Sequence, residues 1–187
     1  MEEAEILLRN AMEHHGAAVY RLALCRMQSA QDAEDVYQDV FMRLYGDATE
    51  FTSSEHLKAW LLRVTINRCR DLAKSNWNRH TVAFDPVRDD IAELVRDADV
   101  WDAVGQLPDN LRSSVHLHYV EGYTTDEIAR MLHSQPATVR TWLSRARARV
   151  KDLLTRESER TGAHAALPSV VPDPRTHRDQ RKEVPHD

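Results

Sequence analysis

Glycine is scarce here, with only 5 residues in 187, and so are the features that mark membrane, secreted and catalytic proteins. No apolar run approaches the roughly 20 residues that would span a bilayer. The opening MEEAEILLRN is acidic and lacks the layout of a signal peptide. Only two cysteines occur, Cys25 and Cys69, each inside a helical pattern. Two buried, reduced thiols are the reading, which places the chain in the cytoplasm. There is no phosphate-binding glycine loop, no clustered carboxylates and no nucleophile motif. His116 and His118 diverge on a helix, and no zinc-like spacing supplies further ligands. Neither an enzyme nor a metal site is expected.

What remains is 42% hydrophobic and 29% charged, the profile of a soluble, all-α protein. The net charge of −5 argues against a protein basic all over. Mapped along the chain, however, acid and base separate. From Ile128 to Lys151 there is no acidic residue.

That stretch reads as two helices around a tight turn. Thr124 and Glu127 form a capping box for the first helix. His133, Ser134 and Gln135 make the turn, and Pro136 suits the first position of the next helix. In the second helix Val139, Leu143, Ala146 and Val150 form one narrow apolar stripe. On the opposite face Thr141, Ser144 and Ala148 are small. Arg140, Arg147 and Lys151 flank them on one side, Arg145 and Arg149 on the other. Small residues let a helix approach base edges, while arginines reach phosphates or fork onto guanine. A solvated basic helix is the alternative. The helix-turn-helix pattern and the missing acid favour DNA.

Upstream, three helical segments are predicted. The first runs from about Glu5 to Met27, with Gly16 as a candidate point of division, Leu7, Leu8, Val19, Leu22 and Ala23 in the core, and His14 and His15 at the surface. The second is capped by Ser29 and Asp32 and stopped by Gly46. It buries Val36, Tyr37, Val40, Phe41 and Leu44 and presents Asp35, Gln38, Met42 and Asp39 outward. The residues alone favour a solvated acidic face; a partner with basic helices is the alternative.

The third segment, Ser54 to about Trp77, has two apolar sides. Leu57, Trp60, Leu61, Val64 and Leu72 form one; Leu62, Ile66, Cys69 and Ala73 form the other. A helix of this kind is embedded between neighbours. Its polar line of His56, Arg63, Asn67, Arg70 and Lys74, with Trp60 at the margin, suits unpaired nucleic acid. Trp60 as a core residue beside solubilising arginines is an equal reading on this segment alone. Arg68 and Asp71 read as a local i, i+3 pair.

The pattern lapses from about Asn78, where Pro86 and Asp85, Asp89, Asp90, Glu93 and Asp97 indicate an acidic linker. About 19 extended residues cover at most roughly 60 Å, enough to let two DNA-contacting modules work apart. Helical pattern resumes with Val100, Trp101, Val104 and Leu107. Pro108 breaks it, and Asp109 or Asn110 caps the next helix, which carries Leu111, Val115 and Tyr119. Beyond Leu154 the polar, proline-bearing end is expected to be a disordered tail.

DAEDVYQDVFMRLY, LKAWLLRVTINRCRDLAKS and the stretch from Leu107 to Val150, taken together and in order, resemble the extracytoplasmic-function sigma factors of bacterial RNA polymerase. The likeness covers roughly Glu5 to Leu154. It implies an all-α chain of two small helical domains: 1–77 as a helical bundle for the polymerase clamp and the −10 element, 78–97 as a flexible linker, 98–155 as the helix-turn-helix domain for the −35 element, and 156–187 as the tail. It implies that Asp35, Gln38 and Asp39 contact core RNA polymerase. Trp60, Arg63, Asn67, Arg70 and Lys74 then line the melted −10 strand, and Thr138, Arg140, Thr141, Ser144, Arg145, Arg147 and Arg149 meet the −35 duplex. Promoter DNA, core polymerase and an anti-sigma factor are the implied partners, with no cofactor and no membrane insertion. The likeness also tips the third segment toward nucleic acid and the acidic face toward a partner. Two rivals stand beside this reading. One is a self-sufficient helix-turn-helix repressor; the other, with the least support, is a nucleic-acid enzyme. The family often has glycine where His133 and Ala137 stand, so a left-handed His133 would carry strain.

Overall fold

The computed structural model describes residues 2–75 and 98–161, all of whose regular elements are helices. Those helices are α1 (Glu2–Met27), α2 (Ala30–Tyr45), α3 (Ser54–Ser75), α4 (Ala98–Gly105), α5 (Asp109–Val115), α6 (Thr125–Met131) and α7 (Pro136–Thr161). A π-helical turn, His116–Val120, follows α5. The linker expected at 78–97 and residues 162–187 lie outside the described residues.

The first three helices pack on one another around Val19, Ala23, Val36, Val40, Phe41, Leu44, Leu57 and Leu61, as their apolar periods require. Ser29 caps α2 by accepting a hydrogen bond from the Asp32 amide at 3.3 Å. Helix α1 is continuous through Gly16, contrary to the expected break. The glycine is instead a contact point, since a Cβ there would lie 2.9 Å from the Tyr37 hydroxyl of α2. His15 is also not at the surface. It is 9% exposed, and its Nε2 lies 3.0 Å from Ser54 Oγ, tying α1 to the start of α3.

A second core joins the two halves of the chain. Ala18 and Leu22 of α1 and Leu62 and Ile66 of α3 pack with Val104, Leu107, Val115, Leu117, Ile128, Val139, Leu143 and Ala146. The second apolar side of α3 therefore has its partner: it receives the C-terminal helices. Of the residues assigned to that side by periodicity, Cys69 packs in the first core instead and Ala73 is exposed. Arg68 does not pair with Asp71; its partner is Asp39 across the α2–α3 contact.

The C-terminal region follows its local signals closely. The capping box at Thr124 is complete, with the Thr124 amide donating to Glu127 Oε2 at 2.8 Å and the Glu127 amide donating back to Thr124 Oγ1 at 3.4 Å. Helix α6 ends in a Schellman motif. Its Ser134 amide donates to the Ala129 carbonyl at 2.8 Å, and His133 sits at φ 51 where glycine is usual. Gly122, at φ 76, supplies the left-handed residue that leads out of the π-helical turn. Pro108 precedes α5 as expected, but no side chain caps that helix. Asp109 instead forms ion pairs with Arg26 and Arg112. Helix α7 continues past Leu154 to Thr161. Lys151 to Thr161 holds good helix formers and no proline or glycine until Gly162, so nothing local stops it.

Candidate nucleic-acid interface

Helix α7 turns its apolar stripe inward and its basic face out. Val139, Leu143 and Ala146 are buried, while Arg140, Thr141, Ser144, Arg145, Arg147, Ala148 and Arg149 are exposed and Thr138 is half-buried. The Thr141 hydroxyl donates to the Ala137 carbonyl at 3.0 Å, which fixes its rotamer on this exposed face. Arg147 reaches the Tyr119 hydroxyl at 3.5 Å. These four arginines carry no ion pair among the described residues, so their charge is available to an external polyanion.

Helix α3 carries the second candidate surface. Arg63 and Lys74 are exposed, and Asn67 and Arg70 are half-buried on the same face. Trp60 differs from the rest. It is 7% exposed, belongs to the first core and meets Phe51 edge-on with ring centroids 5.6 Å apart. The core reading of Trp60 describes this conformation, in which the residue also lines an open cleft of about 310 Å³. Ala59, Trp60 and Arg63 form one wall of that cleft; Tyr123, Arg130 and Met131 form the other.

On α2, Asp35, Gln38 and Asp39 are all exposed, as the period required. Met42, 70% exposed, stands in their midst, an apolar centre within an acidic rim. Asp39 Oδ2 accepts from Arg68 Nε at 2.6 Å.

Sequence reasoning missed a buried charge cluster between these surfaces. The Glu121 side chain is 1% exposed, yet it faces three cations. Lys58 Nζ lies 2.7 Å from Oε2, Arg21 Nη2 lies 3.3 Å from Oε1, and His116 Nε2 lies 3.5 Å from Oε1. Burial alone would raise the Glu121 carboxyl, but His116 and Lys58 outweigh it and hold the group well below the usual carboxylate range. Burial alone would likewise lower His116. The Cys25 thiol and Glu121 beside it prevail and raise the imidazole to about 9. His116 and Glu121 are five apart, which an α-helical period puts on different faces; the wider π turn brings them together. No short-range pattern announces Arg21 and Lys58, which come from other helices. The thiol of Cys69 is buried and pushed up to about 11, so it is protonated at neutral pH.

The family model for sigma-70 region 2 matches residues 11–79, and that for sigma-70 region 4 matches residues 97–150. The chain is 30% identical over 143 residues to the ECF RNA polymerase sigma factor SigM of Mycobacterium tuberculosis, covering 75% of this chain and 73% of that one. It is 28% identical over 165 residues to the ECF RNA polymerase sigma factor SigE of Mycolicibacterium smegmatis, covering 82% and 64%. Among solved structures, CnrH in complex with the cytosolic domain of CnrY aligns with a TM-score of 0.63 at 25% identity, over 82% of this chain and 91% of that one. The fold is also that of the sigma factor RpoE in complex with the anti-sigma factor NepR from Bartonella quintana, with a TM-score of 0.61 at 24% identity over 79% and 96%. No helix among the described residues is long and apolar enough to cross a membrane.

Proposed function

Because the chain belongs to the extracytoplasmic-function family of RNA polymerase sigma factors, we propose how its surfaces divide the work of promoter recognition. Residues 98–155 act as the duplex reader, laying α7 in the major groove of the −35 element. Thr138, Thr141 and Ser144 face the bases, Arg140 and Arg145 flank them, and Arg147 and Arg149 neutralise phosphates. Residues 1–77 act as the opening module. Arg63, Asn67, Arg70 and Lys74 track the parted −10 strand, and Trp60 forms a wall beside it. Asp35, Gln38 and Asp39, around the exposed Met42, dock on the clamp of core RNA polymerase. The chain acts as a promoter-specificity subunit in the cytoplasm and not as an enzyme.

The observation that carries this reading is the unpaired basic face of α7 on a chain of this family. Neither DNA contact has to be tight, because tethering both to polymerase supplies a high effective concentration. A self-sufficient repressor would need strong binding of its own, and the acidic balance of the whole chain opposes that. An anti-sigma partner is proposed as well, since RpoE, whose fold this chain shares, is held by NepR.

Run-off transcription over a promoter library, with core polymerase alone and with this chain added, tests the proposal. New start sites should appear only when both proteins are present. Tight promoter binding in a gel shift without core polymerase would contradict it.

A further inference from the structure

We propose that Cys25 is a modification site for hydroperoxides, where His116 and Glu121 promote oxidation of the thiol to sulfenic acid while Cys69 stays reduced. The proposal does not depend on which surface meets which strand of DNA.

Three observations carry it. First, the two cysteines occupy opposite environments. Cys69 is 1% exposed in the first core, and its thiol, which burial pushes up to about 11, keeps its proton at neutral pH. Cys25 is only half-buried, at the edge of the second core, so it retains contact with solvent and small solutes.

Second, the Cys25 thiol adjoins an imidazole that is backed by a carboxylate. Its neighbour is His116, whose Nε2 lies 3.5 Å from Glu121 Oε1. Glu121 is itself fixed by Lys58 at 2.7 Å and Arg21 at 3.3 Å. A sulfur, a ring nitrogen beside it and a third group that orients the ring are the parts that activate a nucleophile. The imidazole, raised to about 9, is protonated at neutral pH. It thus places positive charge and a transferable proton at the sulfur, and attack on a peroxide needs both there.

Third, His116 has hydrogen-bonding capacity to spare. It is 1% exposed, yet neither ring nitrogen completes a hydrogen bond among the described residues. The thiol and Glu121 lie close enough to act on its charge without the alignment of a well-formed bond. Buried polar groups ordinarily have a partner. An oxygen of a peroxide held beside the thiol would supply one.

In the reaction the Cys25 thiolate, its proton gone to solvent, attacks the hydroxyl oxygen of the peroxide. An S–O bond forms as the O–O bond breaks. The departing oxygen takes the His116 proton and leaves as water, or as the alcohol from an organic hydroperoxide. Sulfur is oxidised to the sulfenic acid and the peroxide is reduced; His116 then recovers its proton from solvent.

The test treats the full-length protein with hydrogen peroxide at neutral pH, folded in buffer and unfolded in urea. Samples are quenched, unfolded and alkylated, and peptide mass spectrometry reads how much of each cysteine is still reduced. Dimedone in a parallel sample marks the sulfenic acid. Cys25 should be consumed about tenfold faster in the folded protein than in urea and should carry the dimedone adduct. Cys69 should be slower folded than unfolded. His116→Gln, with helicity checked by circular dichroism, should bring Cys25 down to the rate seen in urea. Should that variant lose its helices, the comparison of folded and unfolded wild type decides alone. A folded Cys25 that reacts no faster than in urea overturns the proposal. So does a folded His116→Gln protein whose Cys25 reacts as fast as wild type or faster. Either result leaves the reading of the chain as a sigma factor intact.

Discussion

Asp39 of α2 holds Arg68 of α3 at 2.6 Å, carboxylate oxygen to guanidinium Nε, with both side chains a little under half exposed. So open a pair contributes at most about 1 kcal/mol to stability. The residue assigned to the polymerase clamp can therefore be changed without dismantling the helical bundle. Asp39→Arg should weaken capture by core polymerase about tenfold, which corresponds to about 1.4 kcal/mol. The unfolding midpoint should stay close to wild type, and the DNA affinity of the −35 region should be unchanged. Pull-down with core enzyme reads the first effect, and unimpaired capture would remove Asp39 from the interface.

Arg145 and Arg149 share one flank of α7 and are expected to behave differently. Arg145→Ala should cost about 1–3 kcal/mol and relax the preference at one base pair, as loss of a bidentate base contact does. Arg149→Ala should weaken all promoters alike and lower the slope of log affinity against log salt by about 1. Selection from a randomised −35 library, repeated at several salt concentrations with the holoenzyme, separates the two.

His133 occupies a left-handed position that most side chains avoid, at φ 51 within an otherwise complete Schellman motif. The left-handed conformation costs a non-glycine residue roughly 1–2 kcal/mol. Glycine gives back part of that through the greater freedom of its unfolded chain. His133→Gly should raise stability by about 0.5–1 kcal/mol in denaturant melts. A loss of stability would mean that the exposed imidazole makes a compensating interaction.

The raised His116 makes stability depend on pH in one direction. A group whose folded pKa exceeds its unfolded value contributes fully below the unfolded value, near 6.5, and loses that contribution as pH rises through about 9. His116 is faced by Cys25 of α1, by Glu121 with its partners Arg21 and Lys58, and edge-on by Trp101 of α4. Cys69, which burial pushes up to about 11, adds a loss of stability at higher pH through the same linkage, since its unfolded thiol ionises first. The share owed to His116 is therefore the difference between wild type and His116→Gln. The variant should be less stable at pH 7, and the two curves should converge toward pH 10. Parallel curves would mean that His116 is neutral in the fold.

Much of the fold was legible from short-range chemistry. The capping box at Thr124, the start of α7 at Pro136, and the stripes of α2 and α7 follow from spacing that no distant contact overrides. The basic face of α7 was legible for the same reason, since a narrow buried stripe leaves the opposite face no choice but solvent. Long-range pairing was not legible. Arg68 had Asp71 close by in sequence and took Asp39 instead. His15 was drawn inward by Ser54. Trp60 was balanced between two surfaces by its margin position, and Phe51, ahead of α3, settled it into the core. Helix α7 outran its expected end because the polar residues after Leu154 are good helix formers. The Glu121 cluster was the hardest to foresee, because it needs a π-helical turn and two cations from other helices.

Permanganate probing of unpaired thymines tests the central claim most directly: that one chain presents a duplex reader on α7 and a strand-holding surface on α3 to the same promoter. It would use a promoter selected by reconstituted holoenzyme. Reactive thymines should appear in the −10 element only when core polymerase and this chain are both present. A combined Arg63→Ala and Arg70→Ala change should abolish them while protection of the −35 duplex persists. Arg140→Ala with Arg145→Ala should remove the −35 protection. A template opened equally well with either surface disabled, or never opened by the reconstituted holoenzyme, would contradict that claim.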